Sequence, residues 1–172
     1  MDGLLTGAVT AAEPLAWEVV IVVGALAGFV AAVVMDWPMS RQPDGFTPAT
    51  IAAAVVSRQS VEAVSFPELL FVHHVAGLFA GVFYGLLLLG LSSVLSELIW
   101  IGGLNVVAHL LSVCLVVTFI YGFFAHFVLR RTSDRSYEEQ ATAIRGQWLR
   151  SSLVFGVTLA ILVPLVAVSI AG

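Results

Sequence analysis

Lysine is absent from the 172-residue chain, cysteine occurs once, and charged residues make up only 10%. The scarcity of charge excludes several classes. A soluble domain carries about 25% charged and about 45–50% apolar residues, whereas this chain is 60% hydrophobic. A disordered chain would need low hydrophobicity and high charge. A nucleic-acid binder would need a basic excess, and here 7 bases face 11 acids, for a net charge of −4. The lone Cys114 lies in an apolar run. It can form no intramolecular disulfide, and it has no second cysteine to complete a metal motif. H-E-x-x-H and G-x-S-x-G are also missing, which removes the metalloprotease helix and the strained nucleophile turn of hydrolases. No enzyme class gains support. The first residues lack the basic start and small-residue cleavage site of a signal peptide.

What the chain does have is long apolar runs. A bilayer core about 30 Å thick is crossed by about 20 apolar residues in a helix. Four segments meet that length: residues 17–36, 69–91, 98–129 and 149–171. Four segments are too few for a barrel, and lipid cannot satisfy open backbone groups, so each is expected to be a helix. The implied fold class is all-α, a single membrane domain built as a four-helix bundle, with the lipid bilayer as its first partner. The third run is about 32 residues, or about 48 Å of helix. It must tilt, protrude, or begin with an interfacial turn around Ile99–Gly103.

The connections differ in kind. Ser92–Glu97 is short enough to make spans two and three antiparallel neighbours. The first connection carries Pro38, Pro43, Gly45 and Pro48. Thr47 followed by Pro48 reads as an N-cap and a proline at the first helical position. A short helix over about 48–60 should follow, lying in the interface or dipping into the bundle. Ser65-Phe-Pro-Glu68 and Ser136-Tyr-Glu-Glu139 both read as capping boxes. The second implies that the fourth helix starts near Tyr137.

The arginines orient the chain. Arg41 and Arg58 lie in the first connection, and Arg130, Arg131, Arg135, Arg145 and Arg150 lie in the third or at its junction with span four. With four spans these connections share a side, which the positive-inside rule makes cytoplasmic. The expectation is a multi-pass protein of the cell membrane with both termini outside. The acids of the arginine side balance its bases, while Asp2, Glu13, Glu18 and Glu97 leave the other side purely acidic. The third-connection arginines could hold anionic lipid headgroups, but the interleaved Asp134, Glu138 and Glu139 favour local ion pairs and topology control.

Small and polar residues mark the helix faces. Gly24 and Gly28 in span one, and Gly77, Gly81 and Gly85 in span two, are spaced four apart. Such rows let a neighbouring backbone approach closely, either inside the bundle or at a homo-oligomer seam. All four histidines lie in or beside the spans, and an ionisable group in a membrane is a functional hypothesis by default. At about 100° per residue, His74 falls on the glycine face while His73 is turned from its centre. Asn105, His109, Ser112 and His126 fall within a stripe of about 100°. Depth then suggests two clusters: an inner one of Asp36, His74 and His126, and an outer one of Tyr84, Asn105 and His109. Adjacent His73 and His74 point about 100° apart, so chelation of one ion from a regular helix is not expected. No metal or other cofactor is assigned. A bis-histidine haem would need a depth-matched pair, and only His74 with His126 qualifies.

The order of features resembles the YagU-like group of small four-helix membrane proteins of bacteria and archaea. The resemblance rests on Gly24-Ala-Leu-Ala-Gly28, Asp36-Trp-Pro-Met, His74-Val-Ala-Gly77 continuing to Tyr84, and Gly102-Gly103 followed by His109. It covers the first three spans and departs in the fourth, which has no histidine. It implies the fold and no particular activity. Three functional classes therefore stand: a structural or accessory subunit of a membrane complex, a small transporter or proton-conducting protein, and a redox subunit touching haem or quinone.

Overall fold

Lipid offers no hydrogen bonds, so each apolar run must close its backbone bonds internally. The computed structural model, which describes residues 13–95, 99–131 and 140–172, shows how. Helix α1 spans Trp17–Ser40, α2 Thr47–Ser57, α3 Phe66–Val94, α4 Val106–Gly122 and α5 Ala141–Ala171. Beyond Gly122, α4 continues as a π-helical segment, Phe123–Val128, and a 3-10 turn, Leu129–Arg131. Four of these helices are long and apolar enough to cross a membrane: α1, α3, α5, and α4 with its extension, Val106–Arg131. The chain is an all-α, multi-pass membrane protein with a four-helix bundle.

Helices α1 and α3 form the tightest seam. Their glycine rows are buried against each other, with Gly24 against Gly81 and Gly28 against Gly77 and Gly81. Gly85 faces the Val20 carbonyl and Ile21 at the far end of the same seam. The pairing is antiparallel, as the opposed numbering shows. Both rows are used inside one chain.

Several boundaries differ from the sequence expectation. The first span runs through Pro38 to Ser40 instead of ending at residue 36. The short helix begins one residue early, with Phe46 at the N-cap position and Thr47 already helical, and Arg58 ends it with a left-handed φ of 56°. Of the two alternatives for this helix, it enters the bundle end: Ile51 packs in one core cluster with Ala125, Val128, Leu129, Ile144 and Trp148. Ser65 does cap α3, accepting a hydrogen bond from Glu68 N at 3.4 Å, while the Glu68 carboxylate accepts one from Gln59 Nε2 at 2.8 Å. Residues 136–139, the second capping box, lie outside the described residues.

The third apolar run is not one helix. Its start folds into a small β-hairpin, β1 Trp100–Ile101 pairing antiparallel with β2 Leu104–Asn105. Gly102 and Gly103 form its two-residue loop with φ of 56° and 76°. Positive φ at both central positions is what the hairpin twist demands, and glycine alone adopts it freely. Asn105 then caps α4, its Oδ1 accepting from Ala108 N at 3.2 Å. The hairpin closes the end of the bundle opposite the arginines. Gly103 O accepts a hydrogen bond from Leu15 N at 3.2 Å, and Gly102 packs on the backbone of Ala167 and Val168.

Candidate functional site

The glycine seam positions the first cluster. Because α1 and α3 touch backbone to backbone, side chains just past the glycines meet across the seam. His74 Nε2 lies 2.7 Å from Asp36 Oδ2, and His73 Nε2 lies 3.6 Å from Asp36 Oδ1. His73 Nε2 also lies 3.2 Å from the Ala32 carbonyl oxygen. One nitrogen from each histidine and one carboxylate oxygen lie within 4.8 Å of one another. The neighbouring imidazoles thus each present one nitrogen to the same carboxylate. Their ring centroids stand 5.5 Å apart, and Asp36 arrives from a second helix to face both. The three side chains are partly buried, with exposures of 13% for His73, 22% for His74 and 26% for Asp36. Asp36 Oδ1 itself is buried and makes no hydrogen bond among the described residues.

His126 does not join this cluster. It is exposed on the π-helical segment, and its ring contact is Tyr121, with centroids 6.0 Å apart. A fixed 100° per residue placed it on the inner stripe. A π turn bonds i to i+5 in place of i to i+4, so every residue beyond Gly122 leaves that register. Arg145 Nε, from α5, donates to the carbonyl of Ala125 within this segment at 3.3 Å.

The second cluster is buried in the half of the bundle nearer the hairpin. Tyr84 from α3 and His109 from α4 are 0% and 1% exposed. Tyr84 Oη and His109 Nδ1 lie 2.6 Å apart, and His109 Nε2 lies 3.3 Å from the Ala160 carbonyl of α5. The carbonyl can only accept, so Nε2–H donates to it and Nδ1 accepts from the tyrosine hydroxyl. The need for this donor follows from Pro164 in α5. Proline lacks the N–H that would bond the carbonyl four residues earlier, and that carbonyl is Ala160. His109 thus repairs a helix and ties α3, α4 and α5 together. Interhelical bonds of this kind contribute on the order of 0.6 kcal/mol each.

Asn105 is buried beside this helix start but serves as the α4 cap, and its Nδ2 has no partner among the described residues. Ser112, also on the stripe, donates to its own helix at Ala108 O, 2.7 Å away. Sequence reasoning missed His73 and the Ala160 carbonyl. Pro164 was the available signal for the latter, since it announces a carbonyl in need of a donor.

A cavity of about 120 Å³ lies beside the first cluster. Met35, Met39, Ala49, His73, Trp148 and Phe155 are among its walls, so it is apolar with one imidazole at its edge. Among the described residues no arginine pairs with an acid: Arg41 lies over the Trp37 ring at 5.4 Å and Arg131 over Phe127 at 4.4 Å. Asp134, Glu138 and Glu139, the expected partners, lie outside the described residues.

No family model, curated protein or solved structure matches this chain. The functional reading therefore stands on its own geometry.

Proposed function

We propose that the chain is an accessory membrane protein that binds a ligand at one end of its bundle and does not conduct across the bilayer. The observation that carries this is the Tyr84–His109–Ala160 chain. Both His109 nitrogens are engaged, the ring is fully buried, and the group completes a proline-broken helix. A relay residue needs a free or exchangeable partner, and this one has none to spare. The glycine seam between the two clusters is closed by backbone contact, and the hairpin covers the far end. The Asp36–His73–His74 cluster, by contrast, keeps exposed side-chain surface, and its His73 lines the cavity.

Purified protein in vesicles should pass protons and small cations no faster than protein-free vesicles do. Flux above that background, altered by His109→Leu, overturns the reading and favours the transporter alternative. A bis-histidine haem has no support from the geometry, since His126 stands exposed with Tyr121. The resemblance to the YagU-like group rests partly on His74, Tyr84 and His109, each of which has a specific partner here.

The arginine side is assigned to the cytoplasm of the cell membrane, with both termini outside, on the charge asymmetry alone. In a Cys114→Ala background, Ala171→Cys should react with a membrane-impermeant thiol reagent on intact cells. Glu62→Cys should react only after permeabilisation. The reverse pattern would invert the topology.

A further inference from the structure

We propose that Asp36, His73 and His74 form a binding site for a divalent first-row transition-metal ion. The inference rests on the reading of this cluster as the ligand site, and it names the class of ligand.

Three features of the cluster point to a cation of this kind. The donor set is two imidazole nitrogens and one carboxylate oxygen. Such a set with an open position is the pattern of catalytic zinc and of non-haem iron, whereas structural zinc sites close with four protein ligands. It contains no thiolate, which sets it apart from soft-metal sites. The second feature is spacing. The donor atoms all lie within 4.8 Å of one another, and the two His–Asp approaches are 2.7 and 3.6 Å. An ion at about 2.0–2.2 Å from each donor requires them to stand about 3.4 Å apart. To bind one ion, the His74–Asp36 pair must open by less than about 1 Å, and His73 Nε2 must exchange its contact with the Ala32 carbonyl for the ion, each imidazole binding through an unprotonated nitrogen.

The third feature is the unmet demand of Asp36. Its Oδ1 is buried without a hydrogen bond among the described residues, 3.6 Å from His73 Nε2. An acceptor held out of water without a donor costs free energy, and a cation satisfies it better than a neutral imidazole. His73 also lines the neighbouring cavity of about 120 Å³, which leaves room beside the cluster for a further ligand. A water molecule's share of liquid volume is about 30 Å³. The Ala32 carbonyl, 3.2 Å from His73 Nε2, offers a further oxygen. The glycine seam fixes the carboxylate relative to both imidazoles, so the site is largely preformed.

The test is calorimetric titration of the full chain in detergent with Zn²⁺. Wild type should bind about one ion per chain. His74→Ala and His73→Ala should each weaken binding by at least about 100-fold, the upper end of what losing even an outer partner costs. Asp36→Asn should do the same, and His126→Ala, at the exposed histidine, should leave affinity unchanged. Thermal unfolding of each variant without metal guards against loss of the fold. Should a variant fail to fold, Co²⁺ absorption by wild type supplies an independent readout: visible bands of a four- or five-coordinate ion are expected. Absence of Zn²⁺ binding, Co²⁺ spectra identical to those of the free aqueous ion, or equal loss in His126→Ala overturns the proposal. The two readings fail separately. Site-dependent Zn²⁺ flux into vesicles would sink the non-conducting function while the metal site stands. No binding together with no flux would sink the metal site alone.

Discussion

Replacing Gly81 with valine should separate α1 from α3 and destabilise the protein by about 3 kcal/mol or more, at or beyond the upper end of overpacking penalties. A Cβ at Gly81 would overlap the Gly24 carbonyl oxygen and lie 2.9 Å from Gly28 Cα. Both are backbone atoms, so no side chain can swing aside. The helices must move apart along the whole row, and Asp36 must then leave His74. Thermal unfolding in detergent measures the loss. Gly90→Ala is the control, because a Cβ there meets nothing within 4 Å and alanine favours the helix by about 1 kcal/mol. Equal unfolding transitions for Gly81→Val and wild type would show that the seam does not hold the bundle.

The second large effect is expected at the hairpin loop. Gly102→Val should cost about 3 kcal/mol, from a β-branched residue at positive φ and from overpacking. Its φ is 56°, and a Cβ would lie 2.7 Å from Val168 N and 2.8 Å from Val168 Cα. Asparagine tolerates the left-handed region far better than valine. Gly102→Asn should therefore recover the backbone part of the loss and keep the steric part against α5. Amide exchange should show the first turn of α4 opening in Gly102→Val, because its cap Asn105 belongs to the second hairpin strand. If valine and asparagine destabilise equally, the φ argument falls. If neither does, the hairpin is not docked on α5.

These two sites also show how much of the molecule could be read beforehand. The glycine spacing of α1 and α3 announced a close seam, because a missing side chain at every fourth position has one consequence on a helix. It could not say which helix fills the gap, and the structure answers that both rows meet each other. An interfacial turn around Ile99–Gly103 was one of three ways to fit the overlong third run, yet the hairpin and its contact with the end of α5 were not legible. That contact joins segments more than sixty positions apart, and no local pattern records it.

The clusters divide in the same way. Helical angle and depth brought Asp36 to His74 and Tyr84 to His109, since regular helices carry their registers over long distances. His126 was misplaced because the π segment broke the register before it. His73 was set aside because one helix was considered alone, and its partner came from another. Asn105 was grouped with His109, but its oxygen was claimed by the backbone of its own helix start.

By itself, the sequence determined the environment and the class of fold. With 60% hydrophobic and 10% charged residues in four long runs, burial in lipid and internally bonded helices are the only economical outcome. It also determined which residues are chemically costly to place there. Only the tertiary structure decided what those residues do. It turned His109 into the donor for a carbonyl that Pro164 had left open, and it gathered Asp36, His73 and His74 around one point. The reason is physical. Hydrophobicity and helical period act within a segment, whereas the partner of a buried polar atom is chosen by which segments pack together.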